Sequence, residues 1–259
     1  MKVRTIIDKE WEEIVRNRSV FWSLVLLPLI LTVVFVGVFF FMHLEFLRTG
    51  TLNMNGSVPA YLQGYAPVDA VMIMMLNQFM IYFLMAPLAL PIYIAAYSII
   101  GEKQNRSLEP LLATPIKTWE LLLGKSIAAV VPPVLAGWVA YALFAAGIHS
   151  LVSDVVWRVA VEPLWLLSIG ILGPLFGMLS VFVGIIASSR MNDPRAAQQW
   201  TALFLVPLIG IGMGMMFGVI VLNPLTFALG ILGVGLLDAT TLYIAVRLFQ
   251  RETILTRWK

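Results

Sequence analysis

Between Arg195 and Asp238 the sequence carries no charged residue. A helix rises 1.5 Å per residue, so a single helix over that run would reach about 63 Å, twice the thickness of a bilayer's hydrocarbon core. The run must therefore fold back. The break in it with turn chemistry is Asn223-Pro224, an N-P pair. It predicts a tight hairpin of two spans, 200–222 and 225–247.

Four further apolar stretches precede it. Residues 20–42 are uncharged and long enough to cross. They are too long, and followed by residues too bulky, for a cleaved signal peptide. The run 70–101 exceeds one span, so the second is placed at 79–100, with its first residues along the outer surface. The third span is expected at 125–148 and the fourth at 163–189. Composition agrees: 60% of the 259 residues are hydrophobic, 12% are charged, and mean hydropathy is +0.92. Soluble domains carry about 25% charge. The fold class is thus all-α integral membrane with six transmembrane helices, one domain over 1–259.

Lysine and arginine set the orientation. With six spans both termini share a side, and every Lys and Arg except Arg48 and Arg158 falls on it. That asymmetry predicts cytoplasmic termini. All tryptophans but Trp138 lie near span ends or on flanking helices, as an interfacial aromatic belt would. The +3 net charge is spent on this bias and implies no nucleic-acid partner. The absence of cysteine excludes thiolate metal sites and disulfides. His43 and His149 fall at outer span ends without ligand spacing, so no metal is expected.

Residues 1–19 are a separate element. Val3, Ile6, Ile7, Trp11, Ile14 and Val15 recur at helical spacing, with Lys9, Glu12, Glu13 and Arg16 elsewhere around the helix. This predicts an amphipathic helix on the inner membrane surface.

The segment 101–124 is charged and punctuated by two prolines. It runs into Gly124-Lys125-Ser126, the last three residues of a phosphate-binding loop motif. That motif needs another glycine five residues earlier, where Trp119 stands. Glu120 to Leu123 are helix formers, unable to open into a nest of amides. No nucleotide cofactor is expected in this chain. Instead the segment parses into two short helices. Ser107 caps the first, with Glu109 in its first turn, where the macrodipole favours an acid. Leu108, Leu111 and Leu112 form its apolar face. Thr114 caps the second, with Pro115 at its first position.

Those residues carry a resemblance. Glu102, Lys103, Ser107, Leu108, Glu109, Leu111, Leu112, Thr114 and Pro115, then Leu122, Gly124 and Lys125, are similar to the cytoplasmic signature of the ATP-binding-cassette (ABC) type-2 permease family. An Arg16–Ser19 R-N-R-S before the first span and a short 188–199 loop also match. Arg106-Ser107 departs from the Gly-Thr common in the family. The resemblance implies a membrane subunit, usually of an exporter, in the inner or cytoplasmic membrane. It implies pairing with a second permease copy or homologue, and service by separate ATPase subunits that bind ATP and magnesium. It also implies an ATPase-coupling helix at Glu102, Arg106, Ser107, Leu108, Glu109, Leu111, Leu112 and Pro115.

Within the spans, Asp238 is either a path or gate residue or a structural acid bonded to Thr240, Thr241 or a neighbouring helix. A bare carboxyl there costs about 2.5–3.5 kcal/mol on insertion scales. Gly210, Gly214 and Gly218 repeat G-x-x-x-G, which predicts close helix packing; Gly173, Gly177, Ser180 and Gly184 do likewise. Met80, Met85 and Met213 belong to methionine clusters that either adapt to an apolar cargo or fill gaps. An intramembrane enzyme lacks its motifs here. A secondary transporter and a non-transporting relay of ATPase motion are the alternatives to a permease.

Overall fold

A computed structural model describes residues 2–50, 59–104, 118–190 and 194–248. All regular structure among them is helical. Helix α1 is Lys2–Arg16 and α2 is Arg18–Thr49. Asn17 breaks the two apart. Its extended backbone (φ −83°, ψ 96°) ends α1, and its side chain accepts from the Val20 amide to cap α2. Gly50, at φ +70°, ends α2 in the left-handed region that glycine tolerates.

Helix α3, Pro67–Gln104, starts twelve residues before the expected span at Phe79. Pro67 at its start and Asp69 in its first turn are a helix-initiating pair, so the apolar overhang is helical. Helix α4 is Thr118–Ile148. Two short helices follow at the far end, α5 (Asp154–Ala160) and α6 (Pro163–Leu167). A π-helical turn, Ser168–Leu172, leads into α7, Gly173–Arg190. Helices α8 (Pro194–Met216) and α9 (Pro224–Leu248) complete the bundle.

Among the described residues five stretches are long and apolar enough to cross a membrane: 18–49, 67–102, 119–148, 154–188 and 224–248. Helix α8 contributes only Val206–Met215 as an apolar stretch. It also stops six residues short of the expected 222. Gly218 is the reason. At φ +71° it turns the chain, and the Val219 and Ile220 amides both return to the Gly214 carbonyl at 2.8 and 3.0 Å. The expected tight hairpin at Asn223-Pro224 is therefore a longer connection. Asn223 serves as the N-cap of α9: its Oδ1 accepts from the Thr226 amide at 2.9 Å, and its own amide donates to Thr226 Oγ1 at 2.9 Å.

Helices α3 and α7 form the centre. Small residues on α7 allow the approach. A Cβ at Gly184 would stand 2.9 Å from Ile92 Cγ1, and one at Gly177 2.8 Å from Val130 Cγ1. Ser180 Oγ accepts from the Ile92 amide at 3.0 Å, next to Pro91, whose ring disturbs the α3 ladder. Helix α2 and the outer side of α9 leave most of their apolar side chains exposed.

Candidate functional site

At the end of the bundle that carries α1, three elements bring charged side chains into the interior. Lys125, near the start of α4, is 4% exposed; Glu10 of α1 is 3% and Glu102 of α3 is 6% exposed. Lys125 Nζ lies 2.6 Å from Glu10 Oε1, 2.9 Å from Glu102 Oε1 and 2.6 Å from Ser98 Oγ. Lys9 reaches the same Glu102 oxygen at 3.0 Å, and Glu13 at 3.3 Å. Two lysines thus balance two buried carboxylates. An ammonium out of water costs several kcal/mol unless its protons are taken up; here all three donor positions of Lys125 have acceptors.

Burial opposes the charge on Glu10, but Lys125 and its hydrogen bond, with help from Ser98 and Lys9, outweigh it and hold the carboxyl below its ordinary value. Lys9 behaves in the mirror sense. Burial works against it, and the pull of Glu102, Glu10 and Glu13 outweighs this and raises its pKa. A crevice of about 40 Å³ between α1, α2 and α3 reaches Glu10 and Ser98. It has room for water and none for a cargo molecule.

Packing beside the cluster is equally specific. A Cβ at Gly124 would stand 2.9 Å from Ile6 Cγ2, so glycine lets α1 lie directly on α4. Ile6, Glu10 and Ile14 are the buried stripe of α1, whereas Trp11 and Val15 are exposed. The amphipathic stripe expected from sequence is rotated: Glu10, absent from it, faces inward, and Val15 faces out. Gly124 and Lys125 are thus the close-contact and charge-bearing residues of an α1–α4 joint.

Among the residues expected to couple an ATPase, Glu102 belongs to this cluster. Arg106, Ser107, Leu108, Glu109, Leu111, Leu112 and Pro115 lie outside the described residues. Both stems of their segment are in view: Glu102 lies in the last turn of α3 and Lys125 two turns into α4, and they are ion-paired.

The remaining sequence candidates are scattered. Met80 is fully buried in the packed core and Met85 half-buried against it, while Met213 faces outward from α8. Gly210, Gly214 and Gly218 do not form one helix face. Gly218 lies beyond the helix, Ile220 folds over Gly214, and nothing approaches Gly210 among the described residues. Asp238 lies on α9 between Val234 and Ala245, both packed inward. Its carboxyl oxygens are buried and meet no partner among the described residues. The expected bonds from Thr240 and Thr241 to the Asp238 carboxyl are not made: both hydroxyls donate to the Leu237 carbonyl, at 2.9 and 2.7 Å, and that of Thr241 also reaches the Asp238 backbone carbonyl at 3.2 Å.

Several membrane-length helices, with a charged joint buried at one end, define a multi-pass membrane protein. The family model described as ABC-2 family transporter protein matches residues 4–245. The chain belongs to that family and is a membrane permease of an ABC transporter. The match begins inside α1 and ends inside α9, so the α1–α4 joint is part of the family's domain. No curated protein matches the chain significantly.

Proposed function

We propose that this chain is the permease subunit of an ABC exporter, driven by separate ATPase subunits that dock on the segment between α3 and α4. The observation that carries it is the Lys125 cluster. Glu102 and Lys125 stand at the two stems of that segment, and Glu10 adds α1 to the same node. A displacement of the segment is then delivered to two spans and the N-terminal helix together, rather than absorbed by one loose loop. The distribution of Lys and Arg supports cytoplasmic termini. In this reading α8, 23 residues and about 34 Å long, is the fifth of six crossings, and Trp11 and Val15 face the inner membrane surface. Two permease chains form the path, and the exposed apolar faces of α2 and α9 are available to lipid or the second copy.

The sequence has no cysteine, which makes single-cysteine labelling clean. Ser107→Cys in sealed vesicles should react with a membrane-impermeant maleimide from the cytoplasmic side alone. Protection of that cysteine by the ATPase subunits, lost in Leu111→Asp, would sharpen the docking site. Labelling from the exterior would overturn the reading.

A further inference from the structure

The Trp11 indole N–H donates to the Ala128 carbonyl at 3.2 Å. That carbonyl is a particular one. Proline at position 132, inside α4, has no N–H to give the residue four before it, and its ring crowds that residue's carbonyl. Residue 128 is deprived by Pro132, as residue 129 is by the adjacent Pro133. Ala128 is 1% exposed, so water is a poor substitute. In an apolar setting a backbone group freed by proline must find a donor from elsewhere. Here the donor comes from a different element, 117 residues away in sequence.

The same solution occurs at another break. Trp138 Nε1 donates to the Ile169 carbonyl at 3.2 Å, inside the π turn Ser168–Leu172, where the helical ladder is locally reset. Trp138, the tryptophan that does not fit the interfacial belt, thus serves an interior backbone irregularity. The two indoles differ in consequence. Trp138 joins one span to another, whereas Trp11 joins α1 to a span.

The contacts of α1 advance along α4 in order: Ile6 meets Gly124, Glu10 meets Lys125, Trp11 meets Ala128. We propose that Trp11 is a positioning residue: its indole N–H takes the place of the backbone donor lost at Pro132 and so clasps α1 to the first half of α4. The Ala128 carbonyl is open to this bond because Pro132 has no N–H to give it. A rearrangement of α4 that draws the Ala128 carbonyl back into the helix would release the clasp. The exposed ring of Trp11 is then explained by its N–H rather than by its apolar area.

The test isolates the N–H from the ring. The full chain, in nanodiscs of phosphatidylethanolamine and phosphatidylglycerol without ATPase subunits, is compared with Trp11→benzothienylalanine, which keeps the shape and replaces N–H by sulfur. Hydrogen–deuterium exchange of the α1 amides should rise about five-fold, the worth of one ordinary hydrogen bond. The same replacement in a Pro132→Ala background should change exchange less than about two-fold, because alanine at that position supplies the missing amide. Should Pro132→Ala fail to fold, the wild-type indole decides: its Nε1 proton, followed by NMR, should exchange slowly despite the ring's exposure. Equal effects in both backgrounds, no effect in either, or a fast-exchanging indole proton would overturn the proposal. Because no ATPase or cargo is present, these outcomes are independent of whether the chain is an exporter.

Discussion

The two halves of the bundle are held by different chemistry. Away from α1, the helices meet through rings. Phe35 stacks on Phe79 at 4.2 Å, and Phe39, Phe83, Tyr141 and Phe144 pack edge-on or tilted around them. The Tyr141 hydroxyl donates to the Ala160 carbonyl, tying the short helix α5 into this half. Ser153 Oγ donates to Asp69 Oδ1 at 2.7 Å and fixes the start of α3 to that of α5. In the half that carries α1, the packing is mostly aliphatic: Ile94, Ala95, Ile99, Ala129, Val130 and Ile185. At its floor is the Lys125 cluster. Between the halves lie the irregularities. The Pro87 ring of α3 would stand 3.7 Å from a Cβ at Gly137 of α4 or Gly173 of α7, and the π turn adjoins Gly173. A layer of proline, glycine and the π turn thus separates an aromatic half that interlocks from an aliphatic half pinned by charges. Smooth aliphatic contacts slide more readily than interleaved rings. Under the proposed function, the half that carries α1 would be the one moved by an ATPase, and the aromatic half the one that closes the path.

The largest effect that breaks this comparison is expected at Lys125. Lys125→Met leaves the buried Glu10 and Glu102 with half-exposed Lys9 as their one remaining cation among the described residues, and removing one partner of a buried pair costs about 3–5 kcal/mol. Thermal unfolding should drop sharply, and protease should cut α1 free first. Adding Glu10→Gln and Glu102→Gln removes the stranded charges and should recover much of the stability. If the triple variant is stable yet ATP hydrolysis by the proposed ATPase subunits no longer follows transport, the charges serve coupling rather than folding.

A second effect belongs to the other half. Phe144 is fully buried among the rings. Phe144→Ala should cost about 2–3 kcal/mol, below the range for soluble cores because lipid, unlike water, gives little hydrophobic penalty for exposed surface. The loss should appear in the unfolding of α2–α4 while exchange at α1 stays unchanged. Loosening of α1 in this variant would show that the two halves are not separate.

Much of this division could be read in the chain, and some could not. Uncharged runs announce the spans because lipid admits little else. The Gly124-Lys125 signature was visible too, although its purpose was not. Glycine and lysine there acquire meaning only when Ile6 and Glu10 arrive from more than a hundred residues away. Glu10 was the hardest to see. It sits in D-K-E-W-E-E, where every acid looks like part of a solvated face, and only the rotation of α1 against α3 and α4 singles it out. The Asn223-Pro224 pair reads as the turn between the last spans, yet such a pair serves equally as a cap and first turn. Gly218 five residues earlier, in the left-handed region, makes the turn itself. Asp238 pairs in sequence with its own threonines, but a threonine in a helix is drawn first to the carbonyl one turn back.

The smallest effect is a pH dependence, and its sign follows from the two shifted groups. The Glu10 carboxyl is held below its ordinary 4.5. Its contribution to α1 docking is therefore complete above that value and is lost as pH falls through the lower folded value. Lys9 is raised above its ordinary 10.5; its contribution is complete below 10.5 and is lost as pH rises through the higher one. Docking of α1 should thus be level across the neutral range, weaken at acid pH below about 4.5 and weaken again at alkaline pH above about 10.5. Exchange at α1 amides, corrected for intrinsic rates, measures this directly. Glu10→Gln should abolish the acid step while lowering the plateau, because the amide still accepts from Lys125 but carries no charge. A step near neutral pH, or an acid step that survives Glu10→Gln, would place the controlling group elsewhere and leave the charged floor without its role in holding α1.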